Sequence, residues 1–95
     1  MVFERLVFRV HAIQRIYERS ISEEEVRILI KTGETIEDYP TDFPYASRLV
    51  LGWHVPRPIH VVVADNTDDR ENIVITVYEP DPPEWEADFK RRKVS

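Results

Sequence analysis

The sequence predicts one α+β domain over residues 1–95: two N-terminal helices, a three- to four-stranded antiparallel meander and a C-terminal helix. Three observations carry this. Residues 10–32 place apolar side chains at helical spacing around a capping box. After Gly33 the apolar period changes from 3.6 to 2. At Asp81-Pro82-Pro83-Glu84 an N-cap residue, a proline and an acid reopen a helical pattern.

The first helix follows Val7–Arg9, which reads either as a short strand or as the lead into the helix. With His11 set at 0°, Arg15 and Arg19 fall along one stripe, while Val10, Ala12, Ile13, Ile16 and Tyr17 fill a broad apolar face. The second helix starts at Ser22, whose hydroxyl can accept from the Glu25 amide while the Glu25 carboxylate reaches back. Glu23, Glu24 and Glu25 therefore read as capping and helix-dipole residues and not as metal ligands. Val26, Leu29 and Ile30 supply the buried stripe, and Gly33 fits a C′ stop.

Four β-rich runs follow: Glu34–Tyr39 (weak), Arg48–Trp53, Ile59–Ala64 and Asn72–Tyr78. Pro56 and Pro58 bracket one turn, and the polar stretch Asp65–Glu71 forms another. Alternation groups Leu49/Leu51/Trp53, Ile59/Val61/Val63 and Ile73/Ile75/Val77 as the rows that pack beneath the helices. The opposite rows carry Arg48, His60, Thr76 and Tyr78. In the last helix Trp85 and Phe89 lie four apart, and Lys90–Lys93 occupy the final turn.

Ninety-five residues bury only about two-thirds of the unfolded surface, so the core is modest. The chain has no cysteine, so no disulfide and no thiolate metal site. Three scattered histidines give no ligand cluster, and neither a metal nor a cofactor is expected. Without a long apolar run or a signal-peptide pattern, the chain reads as a cytoplasmic protein with no membrane partner. The net charge of −5 opposes non-specific nucleic-acid binding by the whole surface. Its distribution is uneven: residues 1–19 carry +2, residues 20–89 carry −11 and residues 90–93 carry +4. Basic ends around an acidic middle suit a local anion site or docking on an acidic partner.

Two groups of residues can hold chemistry. The His11, Arg15 and Arg19 stripe can hold a phosphate or be an ordinary solvated face. The sheet face with Arg48, His60 and Tyr78 suits a phosphate or ribose hydroxyl, although His60 can equally be a hydrogen-bonded core histidine and Tyr78 a strand-end packing residue. If the first helix covers the other sheet face, the two groups meet only where the stripe reaches round a sheet edge.

His11-Ala-x-x-Arg15-x-x-x-Arg19-x-Ile21-Ser22-x-x-x-Val26, Gly33-Glu34-x-Ile36-Glu37-x-Tyr39-Pro40, Pro58-Ile59-His60-Val61-Val62 and Thr76-Val77-Tyr78-x-Pro80 occur in that order. Together they resemble the domain-of-unknown-function family 4258, from about Val7 to Arg92. That family in turn resembles RelE/ParE- and BrnT-type toxins, often paired with an MqsA-like (YgiT-type) zinc-finger antitoxin. The resemblance implies a RelE-like fold and a metal-independent endoribonuclease acting on mRNA or at the ribosome. It also implies a cognate antitoxin carrying a zinc finger or a helix-turn-helix. The positions matching its pattern are His11, Arg15, Arg19, His60 and Tyr78.

Cleavage through ribose 2′-OH attack needs a base, a proton donor for the leaving oxygen and positive charge on the phosphate. His60, Tyr78 and His11 are the catalytic candidates; Arg15, Arg19, Arg48, Lys90 and Arg91 are the phosphate- or RNA-binding candidates. On this reading His60→Ala abolishes RNA cleavage and growth arrest. The alternative, favoured by the acidic net charge, is a non-catalytic protein-binding module or an inactive toxin-like fold.

Overall fold

The computed structural model describes residues 2–94. It runs β1 (Arg5–Phe8), α1 (Val10–Glu18), α2 (Glu23–Thr32), β2 (Glu34–Tyr39), β3 (Ser47–His54), β4 (Arg57–Asn66) and β5 (Glu71–Tyr78). The sheet order is β1-β5-β4-β3-β2, with β1 parallel to β5 and the other neighbours antiparallel.

This corrects the expected fold in two ways. The residues just before α1 form a fifth strand that makes the sheet mixed. Leu6 and Phe8 pack against the core, and the Phe3 amide donates to Asn72 Oδ1 at 2.7 Å. Moreover, the described residues form no C-terminal α-helix. Pro82–Glu84 makes a single 3-10 turn, and Trp85 is already extended. Beyond it the chain folds into a clasp: Glu86 N–H donates to Arg91 O at 2.8 Å and Lys93 N–H to Glu84 O at 2.9 Å. A short isolated helix is marginal on propensity alone. Burial of Trp85, 2% exposed against the sheet, decides the conformation instead.

α1 ends in a Schellman turn without glycine. Ser20 takes φ 56°, Ile21 N–H donates to Ile16 O at 2.9 Å and Ser20 N–H to Tyr17 O at 3.2 Å. The capping box of α2 is present in both directions, at 3.1 and 3.2 Å. Gly33 ends α2 with extended φ/ψ and not in the left-handed conformation of a C′ glycine. Its role is close approach, since a Cβ there would sit 2.5 Å from the carbonyl oxygens of both Leu29 and Leu51.

Register decides which side chains share a face. Arg48, Val50 and Gly52 lie opposite Val63, Val61 and Ile59, whereas Leu51 lies opposite His60 and Leu49 opposite Val62. The helix-covered core therefore contains Val50, Ile59, Val61, Val63, Val74 and Val77 beneath Ala12, Ile16, Val26, Leu29 and Ile30. The expected rows were mismatched by one residue between β3 and β4. A bulge on β5 adds a second change: Val62 pairs with Thr76 but Val63 with Val74, so Ile75 is extra and the faces invert along that strand. Trp53, expected beneath the helices, is instead half exposed.

Candidate functional site

On the sheet face away from the helices, His60 sits between its cross-strand neighbours Leu51 and Tyr78 and is fully buried. The Trp85 ring meets it edge-on, with centroids 4.4 Å apart. His60 Nε2 lies 2.9 Å from the Phe89 carbonyl oxygen and Nδ1 lies 3.1 Å from the Tyr78 hydroxyl. A carbonyl only accepts, so Nε2 carries the proton and Nδ1 accepts from Tyr78. Burial lowers the His60 pKa, and the nearby Arg92 charge adds to this against the Phe89 bond. The imidazole is neutral, with both nitrogens engaged. Phe89 reaches this position at φ 60°, and its ring meets Trp53 edge-on at 6.1 Å.

A second bulge completes this face. Thr35 pairs with Val50 but Glu37 with Leu49, so Ile36 is extra and Glu37 and Tyr39 turn to the His60 side. The Tyr39 hydroxyl donates to Glu37 Oε2 at 2.5 Å. Burial and the Glu37 carboxylate push the Tyr39 pKa up to about 12. Burial also raises that of Tyr78, partly offset by Arg92. Glu37 and Arg92 both bear electrostatically on His60, Tyr39 and Tyr78. Arg92 is exposed and lies over the Trp85 ring, 4.6 Å from its centroid. The face thus brings together a carboxylate, two protonated phenols, a neutral imidazole and a guanidinium. Glu37, Tyr39 and Arg92 had no catalytic assignment from sequence. Glu37 and Tyr39 stand in the family-like pattern, but the bulge that aims them is invisible to simple alternation.

The other candidates are dispersed. Arg48 points to the helix side, 9% exposed, and donates to Asp65 at 3.1 and 3.4 Å and to Thr35 at 3.3 Å. Asp65 also accepts from Asn72 at 2.7 Å, so Arg48 belongs to a structural network that ties β3, β4 and β5. His11 is exposed on α1, and Arg15 lies 3.4 Å from Glu18. Arg19 alone of the stripe approaches the clasp. It lines a cavity of about 480 Å³ with Pro58, Glu79 and Phe89, and its Nε is buried without a partner among the described residues. Lys90 pairs with Glu34 at 3.1 Å, and Arg91 is exposed. Among the described residues no three His, Asp or Glu side chains gather as a metal-ligand set. No helix among them is long and apolar enough to cross a membrane.

Fold and site together define a small α+β protein whose mixed sheet is covered by two helices on one face and by a C-terminal clasp on the other. The chain belongs to the family described as Domain of unknown function (DUF4258), which it matches over residues 8–79. No curated protein and no solved structure gives a significant match. Glu37, Tyr39, His60 and Tyr78 fall within the family match; Trp85, Phe89 and Arg92 lie beyond it.

Proposed function

We propose that this chain is a metal-independent endoribonuclease of the toxin type, acting in the cytoplasm on mRNA, free or at the ribosome, and restrained by a cognate antitoxin with a zinc finger or helix-turn-helix. One observation carries the reading: Glu37, Tyr39, Tyr78 and Arg92 converge on one sheet face around His60. Those are the groups that in-line attack by a ribose 2′-hydroxyl requires. Glu37 takes the 2′-OH proton as the oxygen attacks phosphorus. The P–O5′ bond breaks as the Tyr78 phenol turns its O–H from His60 Nδ1 to the departing oxygen and gives up that proton. The products are a 2′,3′-cyclic phosphate and a 5′-hydroxyl, and water restores the phenol as Glu37 releases its proton. Arg92 balances the charge on the phosphorane. His60 serves as a positioning residue, because its neutral Nδ1 holds the Tyr78 hydroxyl.

The test is cleavage of single-stranded RNA by the purified chain, with product ends identified by mass spectrometry. Glu37→Gln is expected to lower the rate about 10²–10⁴-fold, the usual worth of a general base. Tyr78→Phe and Arg92→Ala should also lower it, and cyclic phosphate ends should accumulate with the native chain. A Glu37→Gln protein cutting at the native rate, or a native chain leaving RNA intact from pH 5 to 9, overturns the assignment.

A further inference from the structure

We infer that the recess at the Arg19 end of the sheet is a guanine-selective subsite for the nucleotide on the 3′ side of the cut. For substrate class and polarity this rests on the RNA-cleaving reading. The recess, about 480 Å³, has the size of a small-molecule site, and Arg19, Glu79 and Asp81 line it together with Phe89, Pro58 and Pro80. It adjoins the Tyr78 side of the catalytic face. Pro58 precedes His60 by two residues, about 7 Å along β4, and Glu79 directly follows Tyr78. Glu37 lies the other way along the sheet, opposite Leu49, which pairs with Val62. Tyr78 protonates the leaving O5′, so the nucleotide that carries this oxygen is the one nearest to the recess.

The lining chooses the base. Among the described residues nothing accepts from the Arg19 guanidinium, whose Nε is buried. A covered guanidinium without an acceptor is a standing cost that a ligand acceptor relieves. Glu79 and Asp81 are exposed, and their carboxylates only accept. The ligand that fits presents acceptors on one edge, N–H donors on another, and a flat apolar body to Phe89 and the prolines. Two carboxylates in the same recess oppose a bare phosphate. Guanine alone among the bases combines two adjacent acceptors, O6 and N7, with two adjacent donors, N1–H and the 2-amino group, and the acceptor pair matches an arginine fork. Adenine and cytosine offer one amino group each, and uracil one N–H. Bases of single-stranded RNA are read in this way, on both edges and against a ring. Trp53, half exposed, meets the Phe89 ring edge-on and continues the aromatic surface outward.

The test uses dinucleotides with 2′-deoxyuridine upstream, which lack the attacking hydroxyl and stay intact, and with guanosine, adenosine, cytidine or uridine downstream. Their affinities for the full chain are measured by NMR titration, with thermal unfolding followed alongside. The guanosine form is expected to bind at least about tenfold tighter than the other three. Arg19→Gln should abolish that preference, and so should Glu79→Gln combined with Asp81→Asn, two exposed positions whose exchange leaves thermal stability unchanged. On the native chain 7-deazaguanosine, which lacks the N7 acceptor, should lose the preference without any substitution in the protein. Equal affinity for the four dinucleotides, no measurable binding, or a guanine preference that survives both protein variants overturns the inference. A stronger preference when guanosine stands upstream overturns the assignment to the 3′ side. Guanine-selective binding by a chain that leaves RNA uncut removes the cleavage reading and keeps the guanine site.

Discussion

At the scale of single residues, the most consequential group is His60. Its burial favours the neutral ring, so its folded pKa lies below the 6.5 of the free side chain. The unfolded chain therefore takes up a proton first as pH falls. The contribution of neutral His60 is complete above 6.5 and is lost as pH falls through 6.5 toward the folded pKa. Tyr39 and Tyr78 act in the opposite range. Their raised pKa values mean that the unfolded phenols ionise first, so stability falls as pH rises above 10.0. Urea unfolding from pH 5 to 11 should thus give a plateau with a decline at each end. His60→Gln should flatten the acidic decline, while Tyr39→Phe should soften the alkaline one. An acidic slope unchanged in His60→Gln would mean that another group governs it.

At the scale of elements, the protein's only two glycines both serve the seat of α2 on β3. A Cβ on Gly52 would lie 2.8 Å from Leu29 Cδ2 and 3.0 Å from its Cβ. Gly52→Ala is therefore expected to destabilise by about 1–3 kcal/mol, the usual cost of overpacking. At the α1–α2 turn the sign reverses. Ser20 sits at φ 56°, where a side chain costs roughly 1 kcal/mol, so Ser20→Gly should gain up to about that amount. Denaturant midpoints of the two variants should shift in opposite directions, and shifts of the same sign would contradict this account. Those helices were readable from sequence because capping and 3.6-residue spacing act locally. The strands were readable as elements, but their faces were not. A bulge at Ile36 and another at Ile75 each invert alternation, and both arise from pairing with a neighbour strand. Arg48 was grouped with His60 because the β3–β4 register was offset by one residue, and the Ile36 bulge is why Glu37 and Tyr39 drew no chemical role. The segment after Asp81 carries sound local helix signals, yet the packing of Trp85 against His60 outweighs them.

At the scale of the whole molecule, the sheet separates two faces with different coverings. α1 and α2 cover one, leaving Val10, Ile13 and Tyr17 exposed. The clasp covers the other, and its residues from Pro80 onward lie outside the family match. Trp85 links the clasp to His60, and through His60 to Tyr78. The two faces should consequently be energetically separate, while residues of one face should be coupled. Trp85→Ala, which removes a ring 2% exposed, is expected to cost about 3–5 kcal/mol. In a double-mutant cycle with Tyr17→Ser its effect should add to within about 0.5 kcal/mol, as for sites without shared partners. The cycle with Tyr78→Phe should instead show an interaction of about 0.5–3 kcal/mol, because the Tyr78 hydroxyl and the Trp85 ring both bear on one imidazole. Urea denaturation of the native protein, the three single variants and the two double variants measures both terms. Strong coupling between Trp85 and Tyr17 would mean that the sheet transmits strain between its faces. Weak coupling would confine the consequences of a clasp substitution to the sheet face that Trp85 covers, so that the Glu37–Tyr78 side responds to the clasp and not to α1.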